Sequence, residues 1–207
     1  MKIVIYCVVI VLVVWSLYGY LSSRVEQAEY SVLKKANDYE IRRYPAHIVA
    51  QTFVQGNYQD SMSDGFKIVA AYIFGGNVKK ESIAMTAPVV MEEKSSEKIP
   101  MTTPVILSGG KDKRVLSFGM PKSYTLDTLP IPTDSRVKIV EIPEKQFAVV
   151  RFSGYRTAAH IEKMEKKLLE ALTKDGVNVV GATSYAGYNA PGTPPWMTRN
   201  EVLVEVK

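Results

Sequence analysis

The feature that most constrains this chain is a pattern that occurs twice. Residues 40–53 read E-I-R-R-Y-P-A-H-I-V-A-Q-T-F, and residues 138–152 read K-I-V-E-I-P-E-K-Q-F-A-V-V-R-F. In each, two runs rich in β-branched and aromatic residues flank a proline, Pro45 or Pro143. Proline lacks an amide donor and interrupts a ladder, so each run reads as strand, corner, strand. One inserted residue brings Phe53 over Phe152. After each pair the apolar period becomes helical. Met62, Phe66, Val69 and Ile73 share one face, and so do Ile161, Met164, Leu168 and Leu172. Asp60 or Ser61 can cap the first helix, and Gly75-Gly76 can end it. Thr157 can cap the second, with Gly176 after it. Gly65 inside the first helix costs about 1 kcal/mol against Ala, so a close neighbour is expected there. Strand candidates follow each helix, at 114–120 and at 177–188 and 201–206. The pattern predicts an α+β fold. Two duplicated β-α-β-β units would form a distorted β-barrel about a pseudo-twofold axis, with two covering helices. A duplicated unit leaves a cleft between its halves, and ligands favour such places.

The first two dozen residues belong to a different regime. Residues Ile3 to Leu21 carry no charge and are rich in Val, Ile and Leu. At helical rise they span roughly 28 Å, about the hydrocarbon thickness of a bilayer. The run is long for a secretory signal, and no small-x-small cleavage site follows it clearly. A transmembrane anchor over residues 1–23 is the expectation, with a cleaved signal as the alternative. The basic residues on either side, Lys2 against Arg24, Lys34 and Lys35, do not decide the orientation. A short N-terminus before a folded domain favours an extracytoplasmic domain, membrane-anchored by a single pass; cleavage would make it secreted or periplasmic. Residues 24–37 read as a spacer or a first strand, and 38–207 as the domain. Cys7 is the only cysteine, which excludes a disulfide framework and a thiolate metal site.

A shorter repeat is more distinctive. The segments A-M-T-A-P-V at 84–89 and P-M-T-T-P-V at 100–105 lie either side of a polar run, E-E-K-S-S-E-K. Each proline biases its predecessor to extended backbone, so the segments read as two arms joined by an exposed loop. The net charge of +5 is scattered and mixed with acids. No basic stripe with interleaved aromatics occurs, so nucleic acid is not an expected partner. No Ser-His-Asp context, phosphate loop or metal-ligand spacing appears, and the chain does not read as an enzyme.

Seven segments in order resemble the SOUL family of haem-binding proteins. They are Y-E-I-R-R-Y at 39–44, the helix ending in G-G at 75–76, I-A-M-T-A-P-V at 83–89, M-T-T-P-V at 101–105, F-G-M-P at 118–121, F-S-G-Y at 152–155, and Y-N-A-P at 188–191 followed by R-N-E-V at 199–202. The resemblance covers about residues 28–205. It implies a distorted β-barrel with two helices and non-covalent binding of haem or a free porphyrin in an apolar groove beside the first helix. It implies a carrier, buffer or sensor of tetrapyrroles and fixes no axial ligand.

A groove beside the first helix would use the side carrying Lys67, Ile68, Ala71 and Tyr72. Ala71 would admit a flat ring, Tyr72 would cover it, and Lys67 would pair with a propionate. The bland alternative is a solvated helix face. Met85 could line the same cavity as a soft gap-filler, or be plain core. His47 and His160 are the only histidines. His47, at a strand start, is a candidate iron ligand or an exposed strand-end residue. Trp196, among Pro194, Pro195 and Met197, would lie over a planar ligand or pin the last loop. Glu201 beside Arg199 reads as an ion pair fixing the last strand. Two classes of function follow: a membrane-tethered tetrapyrrole binder attached through residues 3–21, or a small-molecule sensor or protein-interaction domain on the same fold without haem.

Overall fold

The structure is a computed structural model and describes residues 2–80, 95–110 and 113–207. Met85 and the first Met-Thr arm therefore lie outside the described residues.

An N-terminal helix, α1 (Lys2–Ser22), leads into two short strands, β1 (Glu26–Gln27) and β2 (Ser31–Lys35). The first repeat supplies β3 (Glu40–Tyr44), β4 (His47–Val54) and α2 (Tyr58–Ile73). Then come β5 (Asn77–Val78), β6 (Thr102–Thr103), β7 (Val105–Gly109), β8 (Arg114–Gly119) and β9 (Ile131–Pro132). The second repeat supplies β10 (Lys138–Ile142), β11 (Lys145–Phe152) and α3 (Ala158–Lys174), followed by β12 (Val179–Gly187) and β13 (Asn200–Val206). Both proline corners fall where the two prolines stand. The 24–37 segment is two strands: β1 runs parallel to β6, and β2 pairs with β3.

Nine strands form one sheet in the order β10-β4-β8-β7-β12-β13-β11-β3-β2, every pair antiparallel. Strand β3 leaves its own half to pair with β11, and β10 crosses back to pair with β4. Apart from β2, the order reads the same from either end once the two halves are exchanged. The expected barrel is not closed: among the described residues the end strands, β10 and β2, do not pair with each other. Closure requires the two end strands to meet in a fixed stagger. Here β2 is exposed along its whole length.

Both helices cover the same face. On β4, β8 and β11, alternate residues such as Ala50, Leu116 and Val150 point to the helices, as strand geometry requires. They form two cores, one with Val69, Tyr72 and Ile73 of α2, the other with Ile161, Leu168 and Leu172 of α3. Gly65 is the contact point of α2 with the sheet. A Cβ there would lie 2.8 Å from Leu116 Cβ. The first helix starts earlier than its sequence suggests. Asn57 is its cap and accepts from the Asp60 amide at 3.0 Å. Thr157 caps α3, accepting from the His160 amide at 3.2 Å. The other face of the sheet has no helix. Its inner part holds a third cluster around Tyr44, Val149, Tyr188 and Leu203, covered by Ala28 and Tyr30 from the N-terminal segment.

Candidate functional site

The helix-free face is concave and carries two adjoining cavities, of about 530 Å³ and 390 Å³. They share Tyr44, His47, Val49, Pro104 and Ile106, so they form one cleft. Its floor is the outward set of alternating residues on β4, β7 and β8, including Val49, Ile106 and Ser117. One wall is the N-terminal segment at Glu26–Glu29, held in place by the β1–β6 pairing and by the Ala28 amide donating to Thr103 O at 2.7 Å. Met120, Pro121 and Leu126 make the far end. The volume lies within the roughly 300–1,000 Å³ of small-molecule sites.

Two of the polar side chains that line the cleft stand out. His47 sits at the start of β4, two residues past Pro45. Its Nδ1 lies 2.8 Å from the Pro45 carbonyl oxygen. A carbonyl only accepts, so Nδ1 carries a proton, which in the neutral ring leaves the lone pair on Nε2. Thr103 is the second. It is 9% exposed, lines the larger cavity, and its Oγ1 has no hydrogen-bond partner. A buried hydroxyl without a partner costs about 1–3 kcal/mol. Lys122 stands at the rim and is paired with Glu29. Lys145, in the smaller cavity, is paired with Glu205 at 2.6 Å.

Beside the cleft, on the same face, lies a buried ionic network. Glu201 is fully buried. Its Oε2 accepts from Arg42 Nη1 at 3.0 Å and from the Tyr188 hydroxyl at 2.8 Å. Its Oε1 accepts from Arg199 Nε at 2.9 Å. The Arg42 guanidinium lies 4.2 Å from the Tyr30 ring centroid, and that of Arg199 lies 3.8 Å from the Tyr188 ring. Burial works against the charge on Arg42, yet the Glu201 carboxylate and the hydrogen bonds raise its pKa overall. Burial pushes the Tyr188 phenol up, and the charge of Glu201 pushes it further. Three of the quoted segments, at 39–44, 188–191 and 199–202, thus meet at one carboxylate. The expected Arg199–Glu201 ion pair is present, and Arg42 joins it.

The residues singled out beside the first helix lie elsewhere. Lys67 is exposed and sits 3.5 Å from Asp64. Ile68 packs against the core under α2. Ala71 is exposed. Tyr72 is 1% exposed, and its hydroxyl donates to Pro130 O at 2.9 Å. Gly65, Val69 and Tyr72 fall at i, i+4 and i+7, which puts the ring on the inward stripe of α2. Trp196 lies in a one-turn helix (Pro195–Met197), 5.2 Å from the Trp15 ring of α1. His160 donates from Nδ1 to Tyr155 O at 3.1 Å and packs on Phe152. Of the described residues among these candidates, His47 alone lines the cleft. Thr103 escaped the sequence reading as a single residue, although its segment, M-T-T-P-V, carried part of the resemblance.

A family model of SOUL heme-binding proteins matches residues 25–205. The chain belongs to the SOUL heme-binding protein family. It is 30% identical over 155 residues to human heme-binding protein 2, covering 74% of this chain and 71% of that one. It is 27% identical over 165 residues to heme-binding protein 1 of Xenopus laevis, covering 79% and 81%. Among solved structures, the EcmrR C-terminal domain superposes with a TM-score of 0.57 at 9% identity, covering 86% of this chain and 98% of that one. A hydrolase from Listeria innocua gives 0.52 at 12% identity, covering 84% and 94%. At such identities these two likenesses speak to the fold alone.

Proposed function

We propose that this SOUL-family protein binds haem or a related tetrapyrrole, without a covalent bond, in the cleft of the helix-free face. The observation that carries this reading is His47, which lines both cavities and whose Nδ1 is tied to Pro45 O, so that Nε2 is the nitrogen left for a ligand. A ring oriented through one nitrogen and basic at the other is how proteins present an axial ligand. The residues present fit the group in three further ways. Val49, Ile106 and Met120 supply apolar surface for a macrocycle. Thr103 Oγ1 needs a hydrogen-bond partner. Lys122 and Lys145 would hold propionates by exchanging them for Glu29 and Glu205. Bound iron would supply a coordination position and a Soret absorbance. The protein's own residues hold the ring, exclude water from it and orient the imidazole. This is a binding role rather than a catalytic one. The mirrored strand order supports an internal duplication, with the cleft lying across the junction of β7 and β12.

We also infer a membrane tether. Helix α1 is 21 residues long, apolar and exposed, with Gly19 its one buried residue. Residues 1–23 would anchor the domain of 38–207 through the paired segment 24–37, with the domain on the extracytoplasmic side. The function is then that of a membrane-tethered carrier, buffer or sensor.

A second placement of the ligand rests on the outer stripe of α2. Lys67, Ala71 and the 55%-exposed Phe74 share that stripe at i, i+4 and i+7. Titration with haemin separates the two. The unaltered protein should give a saturable Soret shift at one equivalent. Ala71→Glu should leave it unchanged if the cleft is the site. Absorbance that rises without saturation would overturn haem binding and favour the haem-free sensor reading.

A further inference from the structure

Helix α1 does not end where the folded domain begins. The last two turns of α1 are already packed against the loop before β13. Trp15 Nε1 donates to Gly192 O at 2.7 Å, and the Tyr18 hydroxyl donates to Pro191 O at 3.0 Å. Gly19 is buried because a Cβ there would lie 2.8 Å from Pro194 Cδ. The Trp15 and Trp196 rings meet edge to face at 5.2 Å. Tyr155, 72% exposed, and Arg156 line a recess of about 220 Å³ whose other wall is Trp15.

These contacts conflict with a domain standing clear of the bilayer. Trp15 lies six residues before Leu21, about 9 Å down the helix axis at helical rise. A hydrocarbon edge drawn at Leu21 places the Gly192–Trp196 contacts about 9 Å beneath it. An edge drawn at Trp15 leaves only about 20 Å of apolar helix, against a core of roughly 30 Å. Either way the loop is in the membrane boundary and not above it. The interfacial layer is roughly 5–8 Å thick on each side, so seating the loop in it takes up most of that roughly 9–10 Å shortfall. The residue types suit that layer. Tryptophan and tyrosine concentrate at headgroup depth, where an amphipathic ring has both an apolar and a wet side. Prolines at 191, 194 and 195 remove amide donors that would otherwise need partners there.

We propose that the loop from Pro191 to Met197, with Trp196 at its tip and Tyr155 beside it, is a membrane-interface element. It lies in the headgroup layer of the bilayer that α1 crosses. The inference rests on the anchor reading above. It adds that the domain is seated on the lipid in one fixed orientation, with β13 rising from the surface, rather than swinging on a tether.

The chain has two tryptophans, so the test is direct. The full chain is reconstituted into phosphatidylcholine vesicles containing lipid brominated near the headgroup or near the chain end. Trp15→Phe leaves Trp196 as the sole reporter, and the phenyl ring keeps the packing contact. Its emission should be blue-shifted, quenched by the shallow bromine more than by the deep one, and protected from aqueous iodide. Trp196→Phe leaves Trp15, which reports whether α1 is inserted. Trp15 quenched by lipid while Trp196 is quenched by iodide alone would overturn the interface proposal and keep the anchor. Iodide quenching of both would overturn both.

Discussion

The Nδ1 of His47 and the carbonyl oxygen of Pro45 lie 2.8 Å apart, across the corner between β3 and β4. The contact fixes both the tautomer and the tilt of the ring. Removing the ring therefore removes a prepared ligand and little else, since His47 is only half-buried. His47→Ala should lower haemin affinity at least tenfold, about 1.4 kcal/mol, and move the Soret band. Its thermal midpoint without haemin should stay close to that of the parent. An unchanged spectrum and affinity would remove His47 from the site.

Thr103 gives the opposite trade. Its buried Oγ1 has no partner, so the unliganded protein carries the desolvation cost of that hydroxyl. Thr103→Val is close in shape and deletes the group. The variant should unfold at the same or a higher temperature than the parent, by up to about 1 kcal/mol. It should bind haemin more weakly. Denaturation and titration of one preparation check both halves, and a variant weaker in stability and equal in binding would contradict the assignment.

The network at Glu201 is a matter of stability rather than ligand contact. Two guanidinium groups and one phenol converge on a carboxylate with no exposure. Glu201→Gln leaves Arg199 without a counter-charge and Arg42 with Glu40 alone, 2.8 Å away at the edge of the network. Breaking a buried pair in this way costs roughly 3–5 kcal/mol, which lowers the thermal midpoint of a chain this size by roughly 10 °C. Replacing Arg43 instead, whose partner Glu144 is 59% exposed, should change the midpoint little. Comparable losses from the two would deny the network its weight.

These sites were legible in the sequence to very different degrees. The two proline corners, the strands around them and the cap at Thr157 follow from local pattern, because proline and a capping hydroxyl act over a few residues. The helix-free face was invisible for a physical reason. Which side of a strand meets the helices depends on the strand order, and β3 and β10 exchange halves before they pair. The same exchange leaves the sheet open at β2, so the strand count alone predicted a closure that does not occur. Tyr72, one tyrosine beside Lys67 and Ala71, reads in the sequence as the polar edge of a helix. Its hydroxyl is instead satisfied deep inside by Pro130 O. Thr103 and His47 are far apart in the chain and meet only through the pairing of β1 with β6 and the path of β4. No local signal carries that.

Gly65 tests the helix–sheet contact itself. An alanine in a helix interior is worth about 1 kcal/mol over glycine. Here its methyl would meet Leu116 Cβ at 2.8 Å and Val54 Cγ1 at 3.1 Å. Overpacking of that kind costs roughly 1–3 kcal/mol. Gly65→Ala should therefore destabilise on balance, against the propensity scale, with a lower denaturation midpoint. A gain in stability would mean that α2 is free to lift from the sheet.

Alkaline pH should unfold the domain. Burial pushes up the phenols of Tyr44, Tyr58, Tyr72, Tyr185 and Tyr188. In the unfolded chain the same groups lose their protons near the ordinary value of about 10. The folded state then binds more protons than the unfolded state at any pH above that value, so stability falls as pH rises. Below it these groups contribute no slope. Each raised phenol adds about 1.4 kcal/mol per pH unit to the fall, until its own folded-state value is reached. Phenolate absorbance should accordingly rise in two stages. The later stage, from the buried set, should appear together with loss of the far-ultraviolet strand signal. A single smooth titration with the fold intact would show that these rings reach solvent without unfolding.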